Sequence, residues 1–175
     1  MASDALPLMG FVAPSGSGKT TLLRAVIHLL AVRGVRVGYL KHAHHSFDLD
    51  VPGKDSFEIR AAGAAQTLLA SRERWALQVE NADKGVDPDL AQMIGRFEPD
   101  RLDLILVEGF KHARYDKIEV YRLASGKAPL YPADPDIIAL ATDDSPPQQP
   151  HPPLLPLRDP AAVVDFVLRH CGLMG

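Results

Sequence analysis

Leu8-Met9-Gly10-Phe11-Val12-Ala13-Pro14-Ser15-Gly16-Ser17-Gly18-Lys19-Thr20-Thr21-Leu22-Leu23 is the stretch that decides the fold. Its first five residues are a short apolar run, which predicts a buried strand. A Gly/Ser turn follows, and then Leu22, Leu23, Val26, Ile27, Leu29 and Leu30 recur at helical spacing. Gly34 supplies a C-cap for that helix. Val35 to Leu40 has the β-branched and aromatic content of a second buried strand. The first forty residues therefore spell one βαβ unit.

The turn inside this unit carries chemistry. Ser15-Gly16-Ser17-Gly18-Lys19-Thr20-Thr21 offers successive backbone N–H groups from small residues at a helix N-terminus, a combination that favours phosphate oxygens. In this pattern Lys19 reaches the β- and γ-phosphates of a nucleoside triphosphate, and the Thr20 hydroxyl coordinates Mg²⁺. Ala13 stands where the motif G-x-x-x-x-G-K-[ST] has its first glycine. The backbone there must avoid a positive φ or accept strain.

Moving outward, His42 to Lys54 reads as a polar loop at the end of the second strand, and Asp55 can cap a helix running to about Gly63. Thr67 to Ser71 and Trp75 to Val79 predict two short strands, and Asp87-Pro88 opens a helix leading to Phe97. Leu102 to Val107, apolar apart from Asp103, is the most clearly buried strand. Lys117 to Arg122 alternates enough for an edge strand, and Ile137 to Ala141 suits the interior. Prolines crowd residues 145–160, which predicts an extended connection before an amphipathic helix from Ala161 to His170. Strands alternating with helices imply an α/β chain of the P-loop NTPase-like, three-layer α/β/α kind. The sheet would be mostly parallel with seven or eight strands, in a single domain spanning 1–175 whose ligand site lies beyond the C-terminal strand ends.

Composition narrows the class. A 175-residue chain is expected to bury roughly 70% of its unfolded surface, and a net charge of -3 gives no basic excess that would point to nucleic acid. Cys171 is the one cysteine, so neither an intramolecular disulfide nor a cysteine metal cluster can be written within one chain. No secretion signal or membrane span is read, and a cytoplasmic location is expected.

Two further clusters fall at the same sheet edge. Leu104-Ile105-Leu106-Val107-Glu108-Gly109 resembles a Walker B strand, whose closing carboxylate would hold Mg²⁺ through water or orient an attacking water. Lys41-His42-Ala43-His44-His45-Ser46-Phe47-Asp48-Leu49-Asp50 gathers imidazoles and carboxylates where a γ-phosphate or second substrate would lie. Asp48 and Asp50 are candidates for Mg²⁺ or for positioning a catalytic water. Lys54 and Arg60 are candidates to neutralise phosphate charge.

Together these pieces resemble the molybdopterin-guanine dinucleotide biosynthesis protein B group, GTP-binding adapters of molybdenum-cofactor maturation. The resemblance rests on Ser15 to Leu22, on Lys41-His42-Ala43-His44-His45 with Phe47-Asp48, on Pro52-Gly53-Lys54-Asp55-Ser56 with Arg60 and Ala62-Gly63-Ala64, and on Leu106-Val107-Glu108-Gly109-Phe110-Lys111. It runs in order over roughly residues 8 to 143. It implies a homodimer that binds GTP with Mg²⁺, hydrolyses it slowly at most, and assists a molybdenum cofactor guanylyltransferase in joining GMP to molybdopterin. The Asn-Lys-x-Asp signature of regulatory GTPases is absent, so guanine contacts must come from elsewhere. Asp143, at the end of the Ile137 strand, is the carboxylate proposed to accept from guanine N1 and N2. Two rival readings stand beside it: a P-loop small-molecule kinase, and an ATP-dependent ligase resembling dethiobiotin synthetase.

Overall fold

The computed structural model describes residues 6–43, 47–81, 83 and 85–174. The chain divides into two compact units, one formed by residues up to His42 together with those from Asp89 onward, the other by Ala43–Pro88.

The first unit is built on β1 (Leu8–Val12), α1 (Lys19–Val32), β2 (Val37–Lys41), α3 (Leu90–Ile94), β5 (Leu104–Glu108), β6 (Lys117–Val120), β7 (Ile137–Ala141), β8 (Leu154–Leu155) and α4 (Pro160–His170). Its six-stranded sheet has the order β2-β5-β1-β6-β7-β8, and every pairing in it is parallel. The α1 and α4 helices share one apolar cluster with the sheet through Leu22, Leu23, Val26, Leu30, Val163, Val164, Val167 and Leu168. Leu90, Met93 and Ile94 of α3 pack on a separate cluster around Ile105, Val107 and Phe110. β5 is buried along its whole length because it sits between β1 and β2 with both faces covered.

Asp103, the charge that opens the apolar run, precedes β5 and fastens it to β2. It accepts from the Arg36 backbone N–H at 2.8 Å and from the guanidinium at 2.6 Å, and Arg36 holds its carboxyl down at about 2.

The sheet corrects two sequence expectations. β6 is an interior strand between β1 and β7, not an edge. Its charges are satisfied locally: Lys117 Nζ lies 3.0 Å from Asp134 and 3.7 Å from Asp136, while Glu119 accepts from the Leu130 and Tyr131 backbone N–H groups at 2.8 and 2.9 Å. A paired charge can be buried where a lone one cannot. The eight strands also do not share one sheet, since β3 (Gln66–Ala70) and β4 (Trp75–Val79) form a separate antiparallel hairpin.

That hairpin belongs to the second unit, with α2 (Asp55–Ala61). The α2 N-cap is Lys54, without a side-chain cap bond, while Asp89 rather than Asp87 caps α3 by accepting from the Gln92 N–H.

Candidate functional site

The loop between β1 and α1 is shaped by its glycines. Gly16 and Gly18 take φ of 87° and 86°, a region open to glycine at little cost. Among the described residues Phe110 is the sole non-glycine with positive φ, so Ala13 needs no left-handed conformation and its alanine carries no such strain. Buried Ser17 donates its hydroxyl to the Pro14 carbonyl at 2.8 Å, closing the turn. At the start of α1 there is no side-chain cap and no acidic residue in the first turn, which leaves the helix N-terminus open to an external anion.

Parallel pairing sets the other half of the site. Phe11 and Lys41 both lie opposite Glu108, so β1, β5 and β2 deliver their C-terminal ends side by side. Glu108 is buried, and its two oxygens are engaged by Lys19 and by the Tyr39 hydroxyl, with Lys41 Nζ 3.6 Å away. Burial alone would raise the carboxyl's pKa. The hydrogen bonds from Lys19 and Tyr39 and the charges of Lys19 and Lys41 outweigh burial and hold it below its ordinary value. Burial, and then the Glu108 contact, push the Tyr39 phenol up.

The turn after Glu108 is locked. Gly109 has φ of 95°, and a Cβ there would lie 2.9 Å from that of His42. Phe110 follows at φ 47° and stacks on the His42 ring with centroids 4.8 Å apart, while Tyr115 donates to the Gly109 carbonyl at 2.6 Å.

At the end of β7, Thr142, Asp143, Asp144, Ser145, Gln149 and His151 line an open depression. Both Asp143 oxygens meet Arg158, through Nε at 3.1 Å and the backbone N–H at 3.3 Å. The second unit holds its own cluster: Asp48 accepts from Arg60, which also pairs with Glu80 at 3.2 Å, and the Asp50 N–H donates to Asp48 at 3.1 Å. The backbone bond, followed by Arg60, lowers the Asp48 pKa. His44 and His45 lie outside the described residues.

Sequence reasoning thus placed Lys19, Thr20, Lys41 and Glu108 at the C-terminal edge of one sheet, where Lys19 and Thr20 open α1 and Lys41 pairs with Glu108, and it missed Tyr39 and Arg122. Tyr39 was open to detection, because it lies two residues before Lys41 and so on the same face of β2. Arg122 sits against Gly18, a proximity that only the strand order reveals.

Residues 8–143 match the family model described as molybdopterin guanine dinucleotide synthesis protein B. The chain belongs to this family. Its relatives include the molybdopterin-guanine dinucleotide biosynthesis adapter protein of Escherichia coli (strain K12), 46% identical over 164 residues that cover 93% of this chain and 92% of that one. The protein of the same name from Haemophilus influenzae is 43% identical over 142 residues, 81% of this chain and 77% of its own length. Among solved structures, Bacillus subtilis MobB superposes with a TM-score of 0.72 at 25% identity, covering 94% of this chain and 97% of that one. A MobB homologue from Bacillus stearothermophilus, at 21% identity, covers 95% and 99% with a TM-score of 0.70 and shares the fold. The family match favours the adapter reading over the kinase and ligase readings. Among the described residues no helix is long and apolar enough to cross a membrane.

Proposed function

We propose that the chain is a GTP-binding adapter in molybdopterin guanine dinucleotide biosynthesis, acting in the cytoplasm as a homodimer with a guanylyltransferase and with molybdopterin. The proposal includes one functional domain spanning 1–175. What carries it is the juxtaposition of an uncapped, glycine-shaped loop with Lys19 and a buried carboxylate at the end of the adjacent parallel strand, in a chain of this family.

In this reading the backbone from Ser15 to Thr21 cradles the phosphates, and Lys19 exchanges Glu108 for the β- and γ-phosphates. The exchange is balanced in charge. Lys19 keeps an anionic partner throughout, and Glu108, already ionised, is released facing the site. Thr20 and Glu108 would hold Mg²⁺, which would supply positive charge beside the phosphate oxygens. The donor set fits that ion: one hydroxyl and one carboxylate, with no group of three or more His, Cys, Asp or Glu among the described residues, suit a cation that keeps phosphate and water ligands. Asp143 would leave Arg158 to accept from guanine. Lys41, His42, His44, His45, Lys54 and Arg60 are proposed phosphate or substrate contacts, and Asp48 is proposed to position water. Any hydrolysis would be slow.

Equilibrium titration with GTP, ATP and their diphosphates, with and without Mg²⁺, tests the reading on the parent and on Lys19→Ala. Mg²⁺-dependent binding that prefers GTP and is lost in the variant supports it. An ATP preference moves the chain toward the kinase or ligase readings, and binding of neither nucleotide overturns it. An unchanged GTP-over-ATP preference in Asp143→Asn removes the guanine role of Asp143.

A further inference from the structure

We infer that Arg122 is an additional phosphate-binding residue of the nucleotide site, meeting the phosphate nearest the ribose rather than the terminal one; this rests on the nucleotide-binding reading above. Arg122 follows β6, and a Cβ built on Gly18 would lie 3.3 Å from its Nε and 3.6 Å from one terminal nitrogen. The guanidinium therefore rests against the loop glycine that precedes α1. Among the described residues no carboxylate pairs with it, and the side chain is exposed. A helix N-terminus repels a cation, and α1 has no acid in its first turn to compensate. Two positive features thus converge on one place without an anion between them.

The residue is held there by its backbone. The Tyr121 N–H donates to the Ala141 carbonyl at 3.0 Å, the Leu123 N–H donates to the Asp144 carboxylate at 2.7 Å, and the Ser125 N–H donates to the Arg122 carbonyl at 3.0 Å. Asp144 therefore acts as a positioning residue for this turn. A fixed turn with a free guanidinium suits forked recognition of phosphate oxygens.

Strand order decides which phosphate. Glu108 leaves the sheet on β5, one strand to one side of β1; Arg122 leaves after β6, one strand to the other side; the Asp143 depression follows β7 beyond it. Neighbouring strands are spaced about 4.8 Å apart, so β5 and β6 are about 10 Å apart. A nucleotide with its terminal phosphate toward Lys19 and Glu108 and its base toward Asp143 passes Arg122 at the α-phosphate.

The test is titration of GTP and GDP with Mg²⁺ into the parent, Arg122→Gln, Arg122→Lys and Lys19→Ala, with thermal unfolding of each variant to establish that it is folded. Arg122→Gln should weaken GTP and GDP by the same factor, about tenfold or more, with partial recovery in Arg122→Lys. Equal affinities in the parent and a folded Arg122→Gln overturn the inference. Loss of GTP affinity with GDP unchanged overturns the placement at the α-phosphate. If the parent binds neither nucleotide, the underlying reading fails, whereas loss in Lys19→Ala with an unaltered Arg122→Gln isolates the failure to Arg122.

Discussion

Glu108 at the end of β5 and Glu119 within β6 flank β1 on opposite sides, and both are buried, yet their surroundings push them in opposite directions. Glu108 faces Lys19, Tyr39 and Lys41, and these partners outweigh its burial and lower its pKa. Glu119 accepts from two backbone N–H groups with Asp134 nearby, and there burial dominates and raises its pKa. The difference separates two uses of a buried acid. One is kept ionised by side-chain partners, which rotation can exchange; the other is fixed by backbone N–H groups, which it cannot. A carboxylate that is to meet a cation belongs to the first kind.

The contrast can be broken from the Glu119 side with the largest effect. Glu119→Ala strands the Leu130 and Tyr131 N–H groups, and chemical denaturation should show a loss of about 2–5 kcal/mol. Glu108→Gln should cost less stability, about 1 kcal/mol, because the Lys19 it leaves behind still reaches solvent and the glutamine keeps an acceptor for Tyr39. Its effect should appear in binding: nucleotide affinity without Mg²⁺ rises as Lys19 is freed, and the gain normally provided by Mg²⁺ collapses. Retention of that gain in Glu108→Gln would remove the acid from the proposed metal site.

Titration sharpens the same pair. Glu108, with its pKa lowered on folding, contributes stability that is full above the ordinary glutamate value of about 4.3 and is lost as pH falls through its folded pKa. Glu119, with its pKa raised, contributes stability that is full below about 4.3 and is lost as pH rises through its higher folded pKa. Subtracting the stability of each glutamine variant from that of the parent across pH 3–7 should give curves of opposite slope. Slopes of the same sign would undo the distinction. The smallest effect belongs to Asp48→Asn. Its exposed ion pair with Arg60 should leave the thermal midpoint within about 2 °C of the parent.

Much of this was legible in the sequence. The strand, glycine loop and helix of residues 8–32 announce themselves because local chemistry sets them: an apolar run, glycines where φ turns positive, and a 3.6-residue period. Glu108 was legible because it ends an unbroken apolar strand. The interior position of β6 was not, since Lys117 and Glu119 read as surface charges until residues 130–136 are brought against them. The separate hairpin was hidden for a related reason: β3 and β4 have ordinary strand composition, yet none of their residues is buried. Arg122 was illegible in principle, because its closeness to Gly18 depends on β6 pairing with β1 across about a hundred residues of chain.

The far margin of the sheet has a consequence for the chain's behaviour at high concentration. β8 is only two residues long, is joined to β7 by N–H donation from Leu140 and Thr142, and is bounded by Pro152, Pro153 and Pro156, none of which has an amide hydrogen. A foreign strand arriving at that margin finds almost no ladder to extend. The prolines thus make this border of the fold a poor template for self-association by strand addition.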